Sequence, residues 1–182
     1  MNIVGKYEPL DLKGLVLAVV MVMELIILWV IGLYGYITAD DTIPTHFSIH
    51  GIPTTYGSKT TLLIIPAAFS IAPTILLTIT KLRFTLINKY PYLINLPAFY
   101  TNITKLPPEE RGKWINKYFN AILTLGVLLT AWLTIIEIGI IQATINQQTP
   151  QWLLPTTLAA PILFIALFII QLHKIQNQLN KQ

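Results

Sequence analysis

Residues 14–36 read GLVLAVVMVMELIILWVIGLYGY, an apolar run with a single charged residue, Glu24. At 1.5 Å of helical rise per residue, about 20 apolar residues cross the roughly 30 Å hydrocarbon core of a bilayer. The run also exceeds the roughly 7–15 apolar residues of a cleavable signal, so it reads as a retained span. Three further runs qualify, at about 60–80, 119–143 and 152–172. Lipid offers no partner to an unpaired backbone amide, so each is expected to be helical. The whole chain agrees: 54% hydrophobic, 11% charged, mean hydropathy +0.63, where soluble domains carry about 25% charged residues. The expected fold class is an all-α integral membrane protein, a four-helix transmembrane bundle forming one membrane domain over 1–182. An ordered extracytoplasmic loop or small hairpin would occupy 37–59, and a cytoplasmic loop 81–118.

Eleven of the twelve lysines and arginines fall at the termini or in the 81–118 loop, and only Lys59 lies in the 37–59 loop. Positive residues stay inside, so both termini and the long middle loop are assigned to the cytoplasm of a multi-pass plasma-membrane protein. The net charge of +4 then serves topology and contact with the lipid bilayer rather than nucleic acid. Tyr34, Tyr36, Trp114, Tyr118 and Trp152 fall near span ends as interfacial anchors, whereas Trp29 and Trp132 lie deeper. The chain has no cysteine, which excludes disulfides, thiolate metal sites and thiol nucleophiles.

Pro66 and Pro73 in the second run, and Pro155 and Pro161 in the fourth, each lack an amide donor, so kinks are expected there. Thr74 and Thr78 are candidates to satisfy the freed carbonyls. In the middle loop, residues 90–100 are apolar and aromatic and read as a membrane-surface segment. Pro107-Pro108-Glu109-Glu110-Arg111 reads as a helix start leading directly into the third run.

Glu24 falls near the bilayer midplane and Glu137 about two-thirds of the way along the third run. Carboxyl groups at such depth cost a few kcal/mol and usually face the bundle interior. Helical rise sets Thr74 and Thr130 near the level of Glu24, with Glu137 roughly 9 Å beyond. Two readings follow: a proton or cation pathway, or a protonated Glu24 hydrogen-bonded to a threonine as interhelical glue.

The 37–59 loop contains Ile43-Pro44-Thr45-His46-Phe47-Ser48-Ile49-His50-Gly51-Ile52-Pro53-Thr54-Thr55-Tyr56-Gly57-Ser58-Lys59. On a helix, His46 and His50 would share a face suited to a metal, but Pro44, Gly51 and Pro53 bracket them too tightly. Alternation of Phe47 and Ile49 with His46, Ser48 and His50 suits a short strand, which would set the two imidazoles about 13 Å apart. Asp40 and Asp41 are the nearest additional ligands for a metal, and the histidines are also candidates for a pH-sensitive element.

The order Ile43-Pro44-x-His46-Phe47, Gly51-x-Pro53, Tyr56-Gly57-Ser58-Lys59, entering a proline-containing span, resembles the N-terminal domain of unknown function of SdpI-type membrane proteins. That group includes a toxin-immunity protein. The resemblance covers about residues 43–66 and, less specifically, 90–120. Ser48 and Thr54 depart from it, where the family commonly has asparagine and aspartate. The resemblance implies a non-enzymatic module linked to toxin immunity or envelope sensing, needing no cofactor. Pro44, His46, Phe47, His50, Gly51, Pro53, Tyr56, Gly57, Ser58 and Lys59 would contact a peptide or membrane-protein partner. The alternative is a small accessory subunit of a larger membrane complex, contributing an intramembrane carboxylate. No nucleophile–base pair or phosphate loop supports an enzyme.

Overall fold

The computed structural model describes residues 4–93 and 97–181. In chain order it contains α1 (Leu12–Thr38), β1 (Thr42–Phe47), β2 (Pro53–Ser58), α2 (Thr61–Lys81), α3 (Arg83–Lys89), a 3-10 turn at Pro91–Leu93, α4 (Pro97–Ile103), α5 (Pro108–Asn146) and α6 (Leu153–Leu179). Helices α1, α2, α5 and α6 are each long and apolar enough to cross a membrane.

Local chemistry sets the helix ends. Asp11 caps α1 by accepting from the Gly14 amide at 2.8 Å, satisfying one of the orphan donors of the first turn. α5 starts at Pro108, with Glu109 and Glu110 in its first turn, and runs unbroken through the third apolar stretch, as the sequence predicts. It stops at Gln147, whose φ of 55° is left-handed. Pro66 and Pro73 lie buried inside α2. Pro155 is only the third residue of α6, within the first turn, where no helical hydrogen bond is lost; Pro161 alone is interior.

The long helices do not form a square bundle. α5 is central: α1 and α2 pack on it and on each other, while α6 packs chiefly on α5. Along the parallel α1–α5 seam, small residues receive large ones. Gly14 faces Asn120, Gly126 faces Met21, Gly32 faces Glu137 and Gly35 faces Ile141. That constant offset sets Glu24 level with Thr130.

The largest apolar core lies at the end opposite the hairpin, where Phe84, Phe99, Ile103, Trp114, Tyr118 and Phe119 pack together. Trp114 and Tyr118 are therefore core residues, not interfacial anchors, because α3 and α4 fold over them. Phe99, in the apolar segment 90–100, joins the same core, while Tyr90 and Tyr92 of that segment are exposed. Ile94, Asn95 and Leu96 of that segment lie outside the described residues. Arg83, only 4% exposed, donates to Asn116 Oδ1 at 2.7 Å, Thr80 O at 3.0 Å and Glu8 O at 2.7 Å. With Asn88 on Val4 and Gly5, and Asn116 on Pro9 O, it ties the segment before α1 across the helix ends.

Candidate functional site

The segment between α1 and α2 folds as an antiparallel hairpin, pairing Thr42 with Ser58, Ile43 with Gly57, Pro44 with Tyr56, His46 with Thr55 and Phe47 with Pro53. The register shifts on both sides of His46, as a β-bulge does, re-aiming the side chain. The strand stops at Phe47, so the expected alternation out to His50 does not hold. Ser48 instead closes a turn, its amide donating to Ile52 O at 2.8 Å and its carbonyl accepting from Gly51 N at 2.9 Å. Gly51 supplies the positive φ of 75° that this turn requires.

Four contacts moor the hairpin to the helix ends. Ile43, 3% exposed, packs with Leu62 and Ile141. The Thr149 amide donates to Gly51 O at 3.0 Å, and a side chain at Gly51 would press on Thr149 at 3.2 Å. Tyr56 Oη donates to Gln147 Oε1 at 2.9 Å. Lys59 meets Asp41 at 2.8 Å and lies 5.3 Å from the centre of the Tyr36 ring. Hydrogen bonding and charge from Lys59 hold the Asp41 carboxyl below the usual carboxylate range, and Asp41 raises Lys59 in turn. The mooring residues Gln147 and Thr149 carry no motif. Their part depends on the 147–152 turn folding back, which no local pattern announces.

Of the sequence-predicted contact residues, Pro44 and Gly51 are buried, Phe47, Pro53, Gly57 and Lys59 half-buried, and His46, His50, Tyr56 and Ser58 exposed. Gly57 gives room to Thr45 within the hairpin, and Ser58 Oγ accepts from the Thr60 amide where β2 passes into α2. His46 lies on β1 and His50 in the turn, and among the described residues no three His, Cys, Asp or Glu side chains gather to hold a metal ion. Beside the hairpin base, Thr38, Asp40, Thr42, Pro44, Thr144 and Gln147 line a crevice of only about 90 Å³, below the roughly 300–1,000 Å³ of small-molecule sites. The exposed part of the hairpin is its rim. Ile49 is 95% exposed at the tip, beside exposed His50 and Ile52.

The two intramembrane-type acids occupy different places. Glu137 is 1% exposed, with both carboxyl oxygens unpartnered. It fills the junction of α1, α2 and α5, in the space left by Gly32 and beside Pro66. Glu24 is half-buried, with Oε2 enclosed and unpartnered. Thr130 is fully buried at its level, but its hydroxyl donates to Gly126 O at 2.7 Å. The Thr130 donor is thus used within α5, and Glu24 Oε2 has no hydrogen-bond partner. Thr74 is exposed on α2, away from both acids, because the face of α2 that meets the other helices carries Leu62, Pro66, Pro73 and Thr80. Thr78 donates to Thr74 O rather than to a proline-freed carbonyl. Ser70 instead donates to Pro66 O at 2.7 Å and accepts from Trp29 Nε1 at 3.0 Å, joining α2 to α1.

Residues 24–69 match the family described as Domain of unknown function (DUF1648). The matched segment holds Glu24, Gly32, the whole hairpin and Pro66. No solved structure matches the chain. An "Uncharacterized protein" of Archaeoglobus fulgidus is 43% identical over 178 residues, covering 96% of each chain. With that identity over nearly the full length of both, the protein belongs to the family of this archaeal relative, and it carries the DUF1648 match across the hairpin and the helix halves on either side.

Proposed function

We propose that the chain is a multi-pass plasma-membrane protein with both termini in the cytoplasm. On this reading it is an SdpI-like module whose outer hairpin recognises an extracytoplasmic peptide or membrane-protein partner, in toxin immunity or envelope sensing. The role is recognition, not catalysis. The observation that carries it is a hairpin anchored along its length by Ile43 and Tyr56–Gln147 and at its turn by Gly51–Thr149, with the apolar side chains of Ile49 and Ile52 beside that turn left in the open. A preorganised surface loses little entropy on binding. The lysine-rich end opposite supports the orientation.

Photocrosslinking in native membranes tests it. A photoreactive residue at Ile49 should give a discrete protein or peptide adduct, and one at Ile162, exposed on α6, only lipid. Lipid adducts alone from Ile49 would end the recognition reading. The cysteine-free chain also allows topology to be read directly. A membrane-impermeant maleimide should label Thr54→Cys and not Lys105→Cys in intact cells.

A second reading, an accessory subunit with an intramembrane carboxylate, is favoured by Glu137, sealed among three helices without a hydrogen-bond partner. It predicts that Glu137→Gln abolishes a proton- or cation-dependent activity of the host complex. Unchanged activity would remove it.

A further inference from the structure

At the end away from the hairpin, α1, α5 and α6 wall a cavity of about 470 Å³, within the roughly 300–1,000 Å³ of small-molecule sites. Lys13, Lys113, Lys117 and Lys174 line it, and Asp11 is the one acid in the lining. Asp11 is already committed. Its Oδ1 accepts from the Gly14 amide at 2.8 Å, and Asn120 Nδ2 reaches its two oxygens at 2.9 and 3.0 Å. Lys117 is held at the α5–α6 seam: Nζ donates to Gln178 Oε1 and lies 4.6 Å from the centre of the Trp114 ring. The remaining three lysines are exposed. The result is a concave surplus of positive charge with room inside it.

The level of this cavity identifies its ligand. Lys13 immediately precedes the apolar run 14–36, Lys117 stands just before the run 119–143, and Lys174 just after the run 152–172. Three helices therefore change from polar to apolar at the same height, where lipid headgroups meet hydrocarbon. α1 and α6 each pack on α5 and hardly on one another, so the cavity is the mouth of a gap between them. Beyond the lysines, Val16 and Val20, three and seven residues past Lys13 on its face of α1, and Ile170, four residues before Lys174 on α6, stay exposed and apolar. Basic pockets between membrane helices attract anionic headgroups. We propose that this cavity binds the phosphate group of an anionic membrane lipid, the lysines holding the headgroup and the apolar flanks of α1 and α6 receiving its chains. The inference rests on the membrane placement proposed above and not on hairpin recognition. Alkaline carbonate extraction checks that placement separately.

Native mass spectrometry of the full chain released from detergent tests it, with phosphatidylglycerol titrated against phosphatidylcholine and against inorganic phosphate. The expected result is a phosphatidylglycerol adduct at lower concentration than any phosphatidylcholine adduct. The Lys13→Gln/Lys113→Gln/Lys174→Gln triple variant should weaken it roughly 100-fold, at about fivefold per lysine. The triple Lys6→Gln/Lys89→Gln/Lys105→Gln, outside the cavity, should change it by no more than about twofold on the same scale. If the cavity triple fails to fold by circular dichroism, Lys174→Gln alone carries the test, with a loss of about fivefold expected. Equal weakening by both triples, or by Lys174→Gln and Lys105→Gln when singles are used, would mean general charge attraction and overturn the site. Equal binding of the two lipids would overturn it as well. Inorganic phosphate that binds as tightly and displaces the lipid would reassign the cavity to a soluble phosphate.

Discussion

Gly32→Ala probes the junction that holds Glu137. A Cβ built at Gly32 falls 2.7 Å from Glu137 Oε1, 2.7 Å from Pro66 Cγ and 3.3 Å from Pro66 Cδ. Carbon pairs are comfortable at about 3.5–4.0 Å, so the methyl intrudes by about 1 Å on a proline ring that cannot turn away. Overpacking of this kind costs about 1–3 kcal/mol, against a gain of about 1 kcal/mol from replacing a helical glycine. The net expectation is a loss of up to about 2 kcal/mol, which lowers the folded-to-unfolded ratio by up to about 30-fold. Glu137→Ala removes one of the two obstacles and leaves Pro66. The double variant should then lose less than the sum of the singles, with a coupling of at least about 0.5 kcal/mol. Equilibrium unfolding of the four proteins in the same detergent, followed by tryptophan fluorescence, measures each corner of the cycle. Additivity within about 0.3 kcal/mol would show that Gly32 and Glu137 do not share this space, and the three-helix junction would be wrong.

Three further outcomes follow from the same geometry. Ile43→Ala empties the core beneath the hairpin, at a cost of about 2–5 kcal/mol to its docking; faster hydrogen exchange at the Thr149 amide, with the α1–α5 seam unchanged, is the expected signature. The Asp41–Lys59 pair should stabilise the hairpin base throughout neutral pH. Because the carboxyl is depressed, its contribution is present above the ordinary Asp value of about 3.9 and is lost as pH falls through the lower folded value. The raised lysine's contribution is lost only as pH rises through a value above about 10.4. Hydrogen exchange across the β1–β2 ladder against pH, compared with Asp41→Asn, reads both limits, and a midpoint near neutrality in the wild-type chain alone would contradict the pairing. Arg83→Lys keeps the charge but cannot span Asn116, Thr80 and Glu8 together. A loss of about 1.5–3 kcal/mol and faster proteolysis before α1 are expected, and an unchanged cleavage rate would refute the tie.

The helices divide by how they are held. α5 is packed on both sides, with buried residues from Gly112 to Thr144, whereas only Ile175 and Leu179 are buried on α6. The outlying helix leaves the gap that ends in the lysine cavity, and the three-helix side encloses Glu137. The hairpin and the basic cavity thus stand at opposite ends of one central helix.

The number of long helices, the start of α5 at Pro108, the ordered turn-rich hairpin and the concentration of basic residues at one end were legible in the chain alone. Each is local: a run of about 20 apolar residues, a proline followed by acids, or a glycine where φ turns positive is complete within a short window. Which way each helix faces was not legible. In a membrane-type helix the side toward lipid and the side toward other helices are both apolar, so hydropathy could not separate exposed Thr74 from buried Thr130. Trp114 and Tyr118 read as interfacial anchors for the same reason, and only the folding of α3 and α4 over them made them core. Tyr56–Gln147, Gly51–Thr149 and Arg83–Glu8 join residues far apart in the chain. The first two exist because α5 runs parallel to α1 and brings the 147–152 turn back beside the hairpin, the third because α2 returns the chain to the start of α1. The place of Glu137 likewise depends on Gly32 and Pro66 arriving at its level, a match of registers that belongs to the packed helices and to no one of them.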